Sequence, residues 1–159
     1  MKMSYGSMWV LREEEGFSEL PKPSDLEIYM KSLLICANGD GRITEPERDW
    51  VLGIASAMGL PDEIVEQLKD YEAKDELNSL LAGGVETATG APRSLIYNAI
   101  RACMADGELS DAELATIQTA ASIMNVPEDV LEELKEIVLQ QAKLRERRLE
   151  LVFPQGIPY

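Results

Sequence analysis

The chain of 159 residues contains no histidine. Histidine is the commonest general base near neutral pH and a common ligand of transition metals, so its absence removes the usual catalytic and imidazole metal sites. The sequence also lacks a Gly-x-Ser-x-Gly elbow, a P-loop and a Gly-x-Gly-x-x-Gly turn after a strand. We therefore expect a protein that is not an enzyme.

Positive charge is also scarce. The 15 Lys and Arg residues face 29 Asp and Glu residues, which gives a formal net charge of −14. Nucleic-acid binding requires a cationic face, so we expect no nucleic-acid partner and favour cations or basic protein surfaces instead. No run of 18 or more apolar residues occurs, and Met8 to Leu11 is too short for a signal-peptide core. These absences predict no membrane insertion and a cytoplasmic location.

Cysteine is limited to Cys36 and Cys103. Both lie inside apolar helical patterns. A reducing compartment keeps isolated thiols free, and buried free cysteines behave as small hydrophobic residues. We expect structural thiols here, without a disulfide.

What the chain does contain is an internal duplication. The first corner (residues 38–47) and the second corner (residues 104–113) both reduce to Asp-Gly-x-(Ile/Leu)-(Thr/Ser)-x-x-Glu, 66 positions apart. The similarity extends over about residues 29–70 and 95–136. Apolar residues recur at helical spacing and no strand-like alternation persists. The pattern predicts an all-α protein, a duplicated multihelical array with internal pseudo-two-fold symmetry.

The predicted organisation is one domain with two appendages. Residues 1–24 are expected to form an N-terminal arm without a long helix, since glycines and prolines interrupt it. Its aromatic residues Tyr5, Trp9 and Phe17 indicate that the arm packs on the domain. Residues 25–150 form the helical domain, in which Pro61 and Pro127 open helices at their first positions. A short helix is predicted between Tyr71 and Leu81, and a loop at 87–91. Residues 151–159 form a C-terminal tail.

The acids of the two corners are candidate cation ligands, because calcium and magnesium prefer carboxylate oxygens. The residues concerned are Asp40, Glu47, Asp106 and Glu113. With the aspartates at position 5 of an EF-hand loop and the glutamates at position 12, the back half of that loop matches. Position 1 is Cys36 in one copy and Ala102 in the other, so the front half fails. We do not expect a true EF-hand.

Helix punctuation explains much of the same motif. Gly41 and Gly107 can end one helix in the left-handed region. Thr44 or Ser110 can then cap the next helix, with the glutamate three residues on completing a capping box. The sequence leaves two hypotheses open: corners that only cap helices, and corners that also bind a weak cation or a basic partner.

Paired copies of Ala/Gly-Asp-Gly-x-(Ile/Leu)-(Ser/Thr)-x-x-Glu, each followed by an apolar helix and a Pro-led helix, resemble the TerB-like tellurite-resistance family. The resemblance covers about residues 25–139. It implies a compact multihelical domain and a bacterial metal or tellurite stress-response role. It also implies that Asp40, Glu47, Asp106 and Glu113 engage a divalent cation or a partner protein. A protein partner is expected, and a homo-oligomer is left open.

Overall fold

A computed structural model describes residues 4–82 and 91–159, and every regular element in those ranges is a helix. The helices are α1 (Tyr5–Glu15), α2 (Pro23–Ala37), α3 (Glu45–Ala57), α4 (Asp62–Lys69), α5 (Leu77–Leu81), α6 (Pro92–Cys103), α7 (Asp111–Ile123) and α8 (Glu128–Val152). A 3₁₀ turn, Met104–Asp106, joins α6 to α7. The all-α prediction is confirmed. Most of the predicted loop at 87–91 lies outside the described residues.

The first helix of each copy lies at the centre of the fold. Helices α2 and α6 form the most extensive helix pair. Their apolar residues recur at i, i+3, i+4 and i+7, so each helix buries a continuous stripe. Residues of this stripe with no exposed surface include Met30, Leu33, Leu34, Ile96 and Ile100. Helix α3 packs on α2, while α7 packs on both central helices and α8 packs on α6.

The helices end at the predicted glycine and asparagine residues, whereas the two prolines lie one position earlier than predicted. The residues after α3 and α7 include Gly59 and Asn125, whose φ angles of 91° and 57° lie in the left-handed region. Pro61 and Pro127 cap α4 and α8 from the position before the first helical residue, and do not occupy that first position. Proline suits both places because a helix start needs no N–H donor there.

The N-terminal segment contains a helix that the sequence pattern did not identify. Helix α1 begins after a Ser4 cap and ends at Gly16, which accepts the left-handed conformation (φ 70°). Leu11 is fully buried, and Glu15 accepts hydrogen bonds of 2.6 Å from both Ser94 and Asn98 of α6. These contacts attach α1 to the helical array. The division of the chain at residue 24 stays a prediction.

Helix α8 has two unlike halves. Leu131 and Val138 are buried against the other helices, whereas from Gln140 onward nearly every side chain of the helix is exposed. The predicted extension of the last helix past the repeat is thus present, and it runs to Val152. Among the described helices, none combines the length and the apolar content needed to cross a bilayer.

Candidate functional site

Both corners form complete capping boxes. At the first, the Thr44 N–H donates to Glu47 Oε2 (2.9 Å) and the Glu47 N–H donates to Thr44 Oγ1 (3.4 Å). At the second, the Ser110 N–H donates to Glu113 Oε1 (3.3 Å) and the Glu113 N–H donates to Ser110 Oγ (3.1 Å). These bonds satisfy N–H groups that a helix start leaves without partners. The predicted caps of α3 and α7 are confirmed.

The two aspartates form matching turns on the surface. Asp40 Oδ1 accepts from the Arg42 N–H (3.0 Å), and Asp106 Oδ1 accepts from the Glu108 N–H (2.9 Å). The glycine after each aspartate has a φ near 90°, which residues with a Cβ rarely adopt. Each aspartate side chain is exposed and shapes the tight turn that precedes a cap.

The two corners lie against each other. A Cβ added to Gly39 would come within 2.8 Å of Ala112 O and of Glu113 Cα, so the backbone of the first corner touches the start of α7. Reciprocally, α3 packs on the 3₁₀ turn of the second corner. The sequence could not show this contact, because the repeats are separated by 66 positions and no local rule joins them.

Glu47 is the centre of an acidic group formed with the buried Glu113 and the exposed Asp106. Its side chain is only 1% exposed. Burial, a hydrogen bond with Asp106 and the charges of Glu113 and Asp106 together raise the pKa of Glu47 to about 7, against the lowering effect of the Thr44 N–H. A hydrogen bond between two carboxyl groups requires a proton on one of them. The structure thus brings together Glu47, Asp106 and Glu113, while Asp40 lies in its own exposed turn.

Glu113 has an unused carboxylate oxygen. The residue is 2% exposed, and its Oε2 is buried without a hydrogen-bond partner among residues 4–82 and 91–159. An oxygen left in this state costs on the order of 1–3 kcal/mol, more if it is charged. A proton, a bound cation or a turn of the neighbouring Cys103 S–H toward the oxygen would relieve that penalty. The oxygen of Glu113 is therefore the atom of this site most suited to a ligand.

Cys103 lies close to the same acids and to Cys36, which the sequence pattern did not indicate. Burial raises the pKa of Cys36 to about 12. Burial also raises the pKa of Cys103, and the charges of Cys36, Glu113 and Glu47 and an interaction of its S–H with the Glu113 carboxyl add to that effect. Each cysteine lies in the last turn of the first helix of its copy, just before the corner. This position, just before a corner, is the sequence feature that could have indicated a thiol near the acids. The prediction that both thiols are buried and free is confirmed.

The carboxylate oxygens of the corners suit a hard cation chemically, but they are not arranged around a common point. Carboxylate oxygens suit calcium and magnesium, and the thiols remain protonated at neutral pH because of their raised pKa values. In the part of the chain that the structure describes, no three Asp, Glu or Cys side chains converge as a preformed metal site. A cation shared by Glu47, Asp106 and Glu113 would require these side chains to turn toward it.

An open groove borders both corners. Its wall includes Pro46 and Trp50 of α3 and Ala105 of the 3₁₀ turn. The Arg101 guanidinium lies 5.1 Å from the centre of the Trp50 ring and pairs with Glu14 at 2.6 Å. Trp50 is thus a fluorophore placed beside the acidic group.

The whole chain is similar to the crystal structure of a tellurite resistance protein from Nostoc punctiforme. The two share 38% sequence identity with a TM-score of 0.87, and the match covers 99% of this chain and 100% of that one. The chain belongs to the TerB-like tellurite-resistance family. The resemblance read from the corner motifs is thereby confirmed.

Other comparisons add nothing to this TerB-like assignment. No protein-family model matches the chain, and no curated protein matches it. The pseudo-two-fold symmetry of the repeats stays a prediction, although each copy carries the same succession of helix, corner, helix and proline-capped helix. The cation and partner roles of Asp40, Glu47, Asp106 and Glu113 also stay predictions.

Proposed function

We propose that this TerB-like chain is a non-catalytic acidic module of a bacterial metal or tellurite stress response. In this role it binds a divalent cation weakly where its two corners meet. The observation that carries the proposal is the buried Oε2 of Glu113, which has no hydrogen-bond partner among the described residues, in a residue whose charge acts on the neighbouring Glu47. The stress-response role rests on the likeness to the tellurite resistance protein of Nostoc punctiforme.

Three residues have distinct parts in this proposal. Glu113 supplies the free oxygen, and Asp106 supplies the second carboxylate oxygen on the exposed side of the site. Glu47 holds the proton that a cation would displace, because its pKa of about 7 leaves it partly protonated at neutral pH. Asp40 contributes negative charge from its exposed turn. Since Glu47 and Glu113 already cap helices, any coordination competes with the caps, and we expect weak binding.

Titration calorimetry with calcium, magnesium, manganese and zinc tests the proposal, with Trp50 fluorescence as a second readout. We expect binding that strengthens between pH 6 and pH 8 as Glu47 loses its proton. Asp106→Asn should weaken binding about tenfold, the size expected for the loss of one charged ligand worth about 1.4 kcal/mol. Glu113→Gln should weaken it at least as much.

Asp40→Asn is the matched control, because it makes the same chemical change in the same kind of turn, while Asp106 and not Asp40 is among the groups that raise the pKa of Glu47. It should leave the affinity within a few-fold of the wild type. Equal heats for the wild type, Asp106→Asn and Glu113→Gln would refute the cation site. Equal losses in Asp40→Asn and Asp106→Asn would show a diffuse charge effect without coordination.

A basic partner protein is the other ligand that the corners suit. The exposed acids around them are Asp40, Glu45, Asp106, Glu108 and Asp111. Such a partner would bind less tightly in high salt, because exposed charges are screened within about 10 Å at 0.1 M ionic strength. A metal held by buried oxygens would lose less affinity in the same titration, so salt dependence separates the two ligands.

A purely structural or adaptor role is the second candidate, and the two complete capping boxes favour it. They account for both buried glutamates without a ligand. The partner surface would then lie elsewhere, and α1 exposes Tyr5 (98%) and Trp9 (64%). A Tyr5→Ala/Trp9→Ala variant should lose a partner that Asp106→Asn keeps. The opposite result would contradict the adaptor role.

A further inference from the structure

The outer face of α8 carries an exposed apolar stripe. Ile137, Leu144 and Leu151 are 43%, 65% and 72% exposed and follow one another at intervals of seven residues. Residues seven apart lie on nearly the same side of an α-helix, with a drift of about 20°. This side lies about 100–160° around the helix from Leu131 and Val138, which are buried. Three large aliphatic side chains in a row are therefore left in solvent.

Charge on the same helix is divided between its two halves. The first half carries the acids Glu128, Asp129, Glu132, Glu133 and Glu136, against Lys135 alone. The second half carries Lys143, Arg145, Arg147 and Arg148, with Glu146 and Glu150. Over residues 4–82 and 91–159, no acidic side chain forms a salt bridge with those four cations. The helix dipole favours this division, yet it gives no reason for the exposed leucines.

We propose that the outer face of α8 binds the same face of a second copy of the chain, with the two helices antiparallel. Opposing the acidic half of one helix to the basic half of the other is possible only in that orientation. A parallel pair would place acids beside acids and cations beside cations, which is unfavourable. The charge division thus selects both the occupant and its direction.

One register satisfies the apolar stripe and the charges together. With Ile137 level with Leu144 of the second copy, the two-fold axis passes midway between these positions. Because each residue advances 1.5 Å along the helix, Glu133 then lies level with Arg148 of the second copy. Glu136 lies between the levels of Lys143 and Arg147 of the second copy. Symmetry repeats every pair, so the stripe is covered and its flanks are complementary.

The contacts within each helix leave these charges available. Glu132 pairs with Lys135 at 2.7 Å, on a side of the helix away from the stripe. Glu136 Oε1 accepts from Gln140 Nε2 at 3.2 Å, a neutral hydrogen bond that keeps the negative charge. Glu133 has no salt-bridge partner in the described ranges. The acids that the register needs are thus not neutralised by lysine or arginine on their own helix.

Sedimentation velocity of the full chain is the first test. The wild type should show a concentration-dependent dimer that dissociates as salt is raised. Leu144→Asp should raise the dimer dissociation constant by about tenfold or more, as substitutions at the centre of an interface commonly do. A wild type that stays monomeric up to about 1 mM would overturn the proposal.

A charge swap tests complementarity. The Glu133→Arg/Glu136→Arg variant places cations opposite the basic half of the second copy, and the Arg147→Glu/Arg148→Glu variant places acids opposite its acidic half. Each should be monomeric alone, and the two mixed should form a heterodimer. Glu19→Arg/Glu63→Arg is the matched control, with the same charge change on exposed sites outside α8, and it should dimerise like the wild type. Mixed variants that remain monomeric would contradict the proposal.

Cysteine cross-linking tests direction and register. Ile137→Cys and Leu144→Cys should form a disulfide-linked dimer under mild oxidation only when the two variants are mixed, since each residue faces the other type. A parallel pair would cross-link each variant alone, and that result would overturn the antiparallel arrangement. The native Cys36 and Cys103 are 1% and 0% exposed and should not contribute. Circular dichroism of every variant separates a lost dimer from a lost fold.

Discussion

The two corners have the same local structure and different surroundings. Each has an aspartate turn, a glycine with positive φ and a capping box. Glu47 is held by a 2.9 Å bond to Thr44 N and by a hydrogen bond with Asp106, whereas Glu113 has a 3.3 Å bond and an unpartnered buried oxygen. The duplication therefore repeats the local structure of the corner, and packing makes the two glutamates unequal.

A second difference lies one residue before each aspartate. The first corner has Gly39 and the second has Ala105. The φ of Gly39 is not positive, so the backbone does not require glycine there. The requirement comes from Ala112 O and Glu113 Cα, which leave no room for a Cβ. Gly39 is thus required by the close contact between the corners, whereas Gly41 is required by the positive φ of its turn.

The largest effect is expected at that contact. Gly39→Ala should lower the free energy of unfolding by about 3 kcal/mol, because the added Cβ meets backbone atoms that cannot move aside independently. The reciprocal Ala105→Gly should cost only about 0.5–1 kcal/mol, the usual conformational penalty. Urea denaturation of both variants measures the difference. Equal losses would show that the corners are not packed as described.

An intermediate effect is expected from the pH dependence of Glu47. Its folded pKa of about 7 lies above its ordinary value, so the folded state holds a proton that the unfolded state releases. The contribution to stability is fully present below about pH 4.5 and is lost as pH rises to about 7. Its size is about 3 kcal/mol.

Glu47→Gln should remove this loss, so the stability difference between variant and wild type should change steadily from pH 4.5 to pH 7. Urea denaturation at several pH values measures it. In Asp106→Asn the loss of stability between pH 4.5 and pH 7 should be smaller than in the wild type, because the Asp106 hydrogen bond and charge both raise the pKa of Glu47. A Glu47→Gln profile parallel to that of the wild type would show that Glu47 has no raised pKa.

The smallest effect should distinguish the two caps. Thr44→Ala and Ser110→Ala should each cost about 1 kcal/mol, the typical value of an N-cap hydroxyl. Ser110→Ala should cost a few tenths more, since Ser110 Oγ accepts at 3.1 Å and Thr44 Oγ1 at 3.4 Å. Thermal denaturation of both variants under identical conditions measures this difference. A larger loss in Thr44→Ala would reverse the comparison.

Much of the fold could be predicted from local rules. Spacing placed Met30 and Leu33 in the core, and the hydroxyl-to-glutamate spacing located the starts of α3 and α7. Helix α1 was missed because Gly6 and Gly16 suggested interruption, while Gly16 in fact ends a helix after three turns. Its anchoring bonds come from Ser94 and Asn98, more than 75 positions away, and no local pattern contains them.

The candidate site also combines features that local sequence sets with features that tertiary packing sets. Its residue types, its caps and its turns were determined by the sequence alone, because each depends on neighbours within about four positions. The tertiary structure decided that the two corners touch, that Glu47 and Glu113 are buried beside Cys103, and that one oxygen of Glu113 is left without a partner. Burial and the approach of distant carboxylates set those properties, and both arise only when the central helices pack together.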